Sequence, residues 1–351
     1  MTAPADLPLP RDCTYLEEDW RILSRRWFPV ARCVDVGEKP VAVRLLDVDL
    51  VLYRLGDTCH AAPDQCPHRG VPLSMGWVQG DQLICAYHGL HFGGDGRCTR
   101  IPAQPNFVPP DKFRVRQFPV TERYGLLWTC LAPDGAEPDI PPFPHWDAPG
   151  YQPILPPFVD IAAAPGRQVE GFVDVAHFAW IHDQAFAERD QPEVPIYHTD
   201  MTETGLRTEY LSDVSNYPKA LRHLEPPGFR WLRVFEVFPP FAAALTVHFP
   251  GDDRLHILNL ASPVSARRTR LFVPIARNFD TTGSLDEVYD FNAQIFAEDA
   301  AIVERQVPAD LPLDSSEDIH FAADRTAMGY RRLLKGMGLT LRQRSTDSDS
   351  L

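Results

Sequence analysis

Positive charge is scarce in this sequence: Lys and Arg together number 34 against 48 Asp and Glu, for a formal net charge of -14. That balance excludes the basic face that phosphate backbones require, so no nucleic-acid partner is expected. Solubility alone accounts for the acidity, and so would a basic protein partner. Long apolar runs are also missing. No stretch reaches the roughly 18 consecutive apolar residues of a spanning helix, and residues 1–12 hold no basic segment followed by an apolar run. A cytoplasmic protein without a membrane partner is predicted. Cysteine is sparse too, with seven in 351 residues at irregular spacing, which rules out a disulfide framework and turns attention to cysteines that lie near histidine. There is no internal repeat and no flavin- or nicotinamide-binding motif.

What is present fits a folded globular chain, with 44% hydrophobic and 23% charged residues. Its length exceeds what one core usually supports, so two domains are expected. Residues 1–26 read as an N-terminal segment with a helix over 17–27 that Pro29 stops. Residues 27–135 read as a β-domain: 41–55 form two strands of a hairpin about Asp47 and Asp49, short strands follow at 82–84, 90–92 and 126–130, and Gly93-Gly94-Asp95-Gly96 marks a turn. Prolines 138, 141, 142, 144, 149 and 153 make 136–153 an extended linker. Residues 154–340 read as an α+β domain with helices on one face of an antiparallel sheet. Its helices are predicted at 169–180 and 285–306, and its strands at 231–238, 244–249, 255–261 and 270–276. Residues 341–351 read as a polar, frayed tail.

Two cysteines have histidine neighbours, in Cys66-Pro67-His68-Arg69-Gly70 and Cys85-Ala86-Tyr87-His88-Gly89. Each loop offers one thiolate and one imidazole. In a Rieske [2Fe-2S] centre two cysteines hold one iron and two histidines the other, a division that these spacings match. Gly70 and Gly89 allow the close backbone approach that N–H donation to cluster sulfur needs. A tetrahedral Cys2His2 zinc site needs the same ligand count, but it usually pairs Cys with Cys at its first spacing, whereas both pairs here mix Cys with His. The other five cysteines, at 13, 33, 59, 98 and 130, read as structural.

A second constellation follows the linker. Glu170, Asp174 and His177 fall at i, i+4 and i+7 and share one helical face, with His182 five residues beyond. Two histidines and one distant carboxylate are the ligand set of non-heme Fe(II) oxygenases. Five residues of ideal helix turn the second imidazole about 140° from the first, so both reach one metal only if the helix bulges or ends between them. Taken alone, two histidines among aromatics are more often core or surface residues. The distant helix offers Glu298 and Asp299, adjacent acids of which only one can face inward. Asn292, Ile295 and Phe296 lie on the same side of that helix as Asp299; they line either a substrate pocket or an ordinary core.

The segments CPHRG and CAYHGLHF, followed by Asp174-x2-His177-x4-His182, resemble the signatures of the Rieske non-heme iron aromatic-ring-hydroxylating oxygenases, and the resemblance spans nearly the whole chain. Its style is that of the single-subunit-type demethylases and monooxygenases of vanillate, dicamba, toluenesulfonate and methylxanthine. It implies an enzyme whose all-β Rieske domain precedes a helix-grip catalytic domain of START/Bet v 1-like form. It implies a [2Fe-2S] cluster on Cys66, His68, Cys85 and His88, and mononuclear Fe(II) on His177, His182 and Asp299, the acid that matches the family's position before Ile-Val-Glu-x-Gln. By the same resemblance Asp174 carries electrons between subunits of a head-to-tail homotrimer. A separate NAD(P)H-dependent reductase or ferredoxin supplies those electrons, and O2 and a small aromatic or heteroaromatic substrate are the reactants. Hydroxylation or oxidative demethylation is the implied reaction, with ring dihydroxylation as an alternative. A Rieske electron carrier with a non-catalytic ligand-binding domain is the second alternative. The chain departs from the family at Gly171, where Asn is frequent.

Overall fold

The computed structural model describes residues 7–183 and 185–344. The chain divides into two compact units. The first holds Leu23–Ile140 with the described residues before Thr14, and the second holds Thr14–Ile22 with the chain from Pro141 onward. The expected tail beyond residue 344 lies outside the described residues.

The first unit is built from small antiparallel sheets. Strands β1 (Phe28–Arg32), β9 (Val120–Arg123) and β10 (Leu126–Thr129) form one; β2 (Val41–Leu45), β3 (Val48–Leu55) and β4 (Thr58–Pro63) form another. The third contains β5 (Trp77–Gln79), β6 (Gln82–Ile84), β7 (His91–Phe92) and β8 (Cys98–Arg100). The β2–β3 connection is a two-residue hairpin in which Leu46 and Asp47 both take positive φ, the backbone that suits the strand twist. Val51, Tyr53, Leu73, Leu83, Leu90 and Phe92 fill the core behind the two Cys-His loops.

In the second unit, β13 (His198–Met201), β14 (Leu206–Ser212), β15 (Trp231–Phe238), β16 (Ala242–His248), β17 (Arg254–Ser265), β19 (Ile275–Arg277) and β11 (Gln152–Ile154) lie side by side, antiparallel throughout. The far part of β17 continues into β18 (Arg268–Phe272) and β12 (Val159–Ile161). Alternation fixes the faces. Trp231, Arg233, Phe235 and Val237 are all buried on one side of β15, opposite Val247, Leu245 and Ala243 of β16. Helices α2 (Pro165–Val173), α4 (Asp286–Val303) and α5 (Arg325–Gly336) pack with this sheet, α2 over β16 and β17 and α5 over β13 and β14. Gly329 lets α5 approach closely, since a Cβ there would sit 2.8 Å from Leu206 Cδ2.

Several elements differ from their sequence-based expectation. Helix α1 (Glu17–Leu23) ends earlier than predicted, and Pro29 lies within a strand instead of terminating a helix. β1 tolerates that proline because it is an edge strand whose register shifts between Pro29 and Ala31. The proline-rich stretch is no free linker: Pro141 onward joins the second unit, residues 144–146 make a 3-10 turn, and Gln152–Ile154 pairs with β19. The helix expected at 169–180 starts at Pro165 and breaks after Val173, resuming as α3 (Phe178–Ile181). Strands β13 and β14 and helix α5 were not anticipated.

Candidate functional site

In the first unit the two Cys-His loops share one hydrogen-bond plan. Cys66 N–H donates to Val71 O at 2.9 Å and Gly70 N–H to Cys66 O at 2.9 Å; Cys85 N–H donates to Leu90 O at 2.9 Å and Gly89 N–H to Cys85 O at 3.0 Å. Gly70 and Gly89 take φ of 71° and 66°, the left-handed backbone that such turns need and that glycine enters at no steric cost. Both cysteines are buried, whereas His68 and His88 are exposed and lie edge to face with ring centroids 4.6 Å apart. Burial pushes the Cys66 thiol up to about 11; backbone donors at His68 and Arg69 pull it down, and the adjoining Cys85 thiol raises it further. A thiol so placed ionises at neutral pH when a metal displaces its proton. Two buried thiols beside two exposed imidazoles fit a two-iron cluster with a cysteine end and a histidine end.

In the second unit the break after α2 creates the other site. Asp174 leaves the helix with extended ψ, and its Oδ1 accepts the Ala176 N–H at 2.8 Å, an Asx-type turn that replaces the lost helical bond. Beyond the turn, His177 and His182 flank the single turn of α3, and His177 Nε2 lies 3.1 Å from His182 Nε2. Asp299 of α4 completes the group, its Oδ1 lying 3.6 Å from His177 Nε2 and 3.2 Å from His182 Nε2. Ligand atoms about 2.1 Å from one ion and at right angles lie ~3 Å apart, so the three atoms fit one triangular face of a coordination sphere. Among the described residues no other such group of three His, Cys, Asp or Glu occurs. A two-iron cluster, with two protein ligands on each iron, presents no group of three.

Glu298 and Asp299 take different places. Glu298 Oε2 sits 2.8 Å from His182 Nδ1, on the imidazole edge remote from Asp299, and its Oε1 accepts the Gln294 amide at 2.8 Å. Glu298 therefore fixes the ring and its tautomer, leaving Nε2 for a metal. Burial alone would lower the His182 pKa, but the hydrogen bonds and charges of Asp299 and Glu298 outweigh it and raise it. Asp174 Oδ2 lies 3.6 Å from His177 Nδ1. Glu170, though on the same helical face, points elsewhere: Arg331 of α5 holds it at 2.6 and 3.0 Å, with Arg167 at 3.3 Å.

The three ligand-type residues open on a cavity of about 540 Å³. Asn292, Ile295 and Phe296 line it together with Phe172, Phe178 and Phe186. Sequence reasoning missed the last three and Arg233. The signal for Arg233 was there, because it occupies the inward phase of β15 between Trp231 and Phe235.

Residues 26–119 match the Rieske [2Fe-2S] domain family, and residues 161–340 match the vanillate O-demethylase oxygenase C-terminal domain family. The chain belongs to the Rieske oxygenases. It is similar to the methylxanthine N1-demethylase NdmA of Pseudomonas putida, at 31% identity over 91% of this chain and 90% of the relative. The solved structure of that protein with caffeine superimposes with a TM-score of 0.80 at 30% identity, covering 91% of this chain and 92% of the other. The vanillate O-demethylase oxygenase subunit of a Pseudomonas species is 26% identical over 80% of this chain and 84% of its own length. As a Rieske oxygenase the chain is an oxygenase component, with a [2Fe-2S] cluster and a mononuclear iron as its cofactors and a separate reductase as its electron source. No helix among the described residues is long and apolar enough to cross a membrane.

Proposed function

We propose that this Rieske oxygenase oxidatively demethylates a small N- or O-methylated aromatic or heteroaromatic compound, releasing the methyl carbon as formaldehyde. The observation that carries this reading is the convergence of His177, His182 and Asp299 within 3.6 Å of one another at an aromatic-walled cavity. Cys66 and Cys85 would hold one iron of the cluster, His68 and His88 the other, and His177, His182 and Asp299 the mononuclear iron. Fe(II) bound there supplies the activation of O2.

The remaining chemistry is positional. Glu298 keeps the His182 proton on Nδ1. Phe172, Phe178 and Phe186 exclude water from the cavity, and Ile295 and Phe296 present an apolar face to an aromatic ring. Asn292 donates its amide to Val288 O at 2.7 Å, which leaves its side-chain carbonyl to meet a polar substrate edge. Asp174 touches His177 on the nitrogen that no metal would occupy and is a third exposed, so it can meet a neighbouring chain. The exposed His68, His88 and Tyr87 offer that neighbour a cluster edge. On this reading, electrons pass from cluster to iron through Asp174 between subunits of a head-to-tail homotrimer, a reading supported by the exposure of these residues. An NAD(P)H-dependent reductase or a ferredoxin feeds the cluster, and the seven free cysteines suit the reducing cytoplasm.

Anaerobically purified protein should contain about three irons and about two sulfides per chain. His177→Ala should lose about one iron while keeping the cluster's EPR signal after dithionite reduction. Supplied with a reductase and NADH, the wild type should release formaldehyde from a methylated member of a methoxybenzoate and methylxanthine panel, and the variant should not. Hydroxylated products without formaldehyde across that panel would overturn the demethylase assignment.

A further inference from the structure

One face of the sheet carries a row of residues that runs in register from Arg233 through Val247 and Leu255 to Arg277. All four line the cavity. The two arginines at its ends are treated differently. Arg277 is neutralised, its Nη1 3.1 Å from Asp280 Oδ2. Arg233 is 1% exposed and, among the described residues, has no carboxylate within ion-pair distance. Its guanidinium donates only to neutral acceptors: Ser212 Oγ at 3.3 Å, Val214 O at 3.0 Å, Ser215 O at 3.1 Å and Asn216 Oδ1 at 3.2 Å. Its other neighbour is the Phe178 ring, 5.5 Å from Cζ. Burial pushes the Arg233 pKa down to about 10, which leaves it charged at neutral pH. Tyr210 and Glu225 act on it through space, but neither forms an ion pair with it. A buried cation with no ion-pair partner is costly, so its presence beside a ligand cavity favours an anion there. The acids at the rim, Asp253 and Glu287, are exposed and screened by solvent.

Arg233 also settles the direction of Asn216. With Oδ1 taken by the guanidinium, the amide nitrogen must turn the other way, and Asn216 is part of the cavity wall. Both effects favour the same ligand chemistry: a fixed donor at the wall, backed by a buried positive charge that no carboxylate ion-pairs.

We infer that Asn216 and Arg233 form an anion subsite in the cavity, so that the substrate carries an anionic oxygen group, such as an aryl carboxylate or sulfonate. Asn216 donates to that oxygen and Arg233 supplies the balancing charge. This deepens the demethylase reading by naming the substituent the aromatic substrate bears. The test requires no turnover.

Benzoate, benzenesulfonate and the neutral benzamide are titrated calorimetrically into the anaerobic holoenzyme. At least one of the two anions should bind about tenfold or more tightly than the amide, as a charge-assisted bond should over a neutral one. Asn216→Asp keeps an oxygen acceptor for Arg233, and with it the loop, but replaces the cavity-facing donor with an anionic oxygen; the preference for anions should vanish. Arg233→Met should weaken anion binding while leaving benzamide within about twofold, with a melting curve to confirm folding. Equal binding of all three probes to the wild type overturns the subsite. So does an anion preference that survives Asn216→Asp, or the absence of anion binding at millimolar concentration. Iron and sulfide content of the same preparations reports separately on the oxygenase reading, so failure of one is distinguishable from failure of the other.

Discussion

Glu298 and Asp299 are adjacent acids of opposite assignment, and exchanging each for its amide separates a residue that orients a ligand from a ligand. Glu298→Gln keeps shape and an oxygen acceptor but removes the charge 2.8 Å from His182 Nδ1. A charge-assisted hydrogen bond contributes about 1.5–3 kcal/mol, and loss of such support typically weakens metal binding about 10–100-fold. Asp299→Asn removes the anionic atom that faces both histidines and should weaken binding by more than about a further tenfold. The assay is anaerobic Fe(II) titration against a graded chelator, with the cluster's visible absorption as internal control, since neither change lies in the first unit. The pH dependence carries a sign. Without metal, Asp299 and Glu298 raise the His182 pKa, so protons compete with iron as pH falls through it. Glu298→Gln lowers that pKa, hence its iron deficit should be largest above it and narrow on acidification. Retention of iron by Asp299→Asn together with its loss from Glu298→Gln would reverse the two roles and refute the assignment.

Other consequences are open to measurement. Burial pushes His256 down to about 3 from its ordinary 6.5, its ring stacked 3.5 Å from that of His145. A histidine with a depressed folded pKa contributes destabilisation as pH falls below its unfolded value, worth about 2 kcal/mol by pH 5. Urea unfolding should therefore weaken between pH 7 and 5, less so in His256→Gln; an identical pH slope in both proteins would contradict this. Arg331→Met strands Asp318 and leaves Glu170 only its 3.3 Å contact with Arg167, and should destabilise by about 3 kcal/mol. A thermal shift equivalent to under about 1 kcal/mol would show that the network is dispensable. In Gly89→Ala a Cβ meets Pro102 Cγ at 3.2 Å on a backbone of φ 66°, a strain of about 1–2 kcal/mol at a cluster loop. Sulfide content per chain should fall, and full cluster occupancy with an unaltered EPR line shape would count against the strain.

How much of this could be read from the sequence varied with the distance over which each feature is determined. The cluster loops were legible because each pair of ligands lies within three residues and glycine follows each histidine within two. The five-residue gap between His177 and His182 forced the expectation of a helix interrupted between them; the break after Val173 instead precedes both, and the single turn of α3, ending at Ile181, joins them. Inward strands such as β15 declared themselves by alternation. Choices set by tertiary contact were not legible. Which of Glu298 and Asp299 faces the histidines depends on the rotation of α4 over the sheet, and the use of Glu170 as an anchor depends on α5, 161 residues away. Pro29 read as a helix stop because nothing local reveals an edge strand. Helix α5 escaped notice because Gly329 sits mid-helix, where only proximity to Leu206 explains it.

The turn at Asp174 makes the stretch from there to His182 a spacer whose length matters more than its composition. Val175, Phe178 and Ala179 are buried, so substitutions there cost packing but leave both imidazoles on the same side. One residue added between His177 and His182 would rotate the second imidazole by about 100°, away from Asp299 and into the aromatic wall. Variation within this family should therefore be read there as exchange at fixed count, and an engineered insertion would remove the metal face without touching any of its three residues.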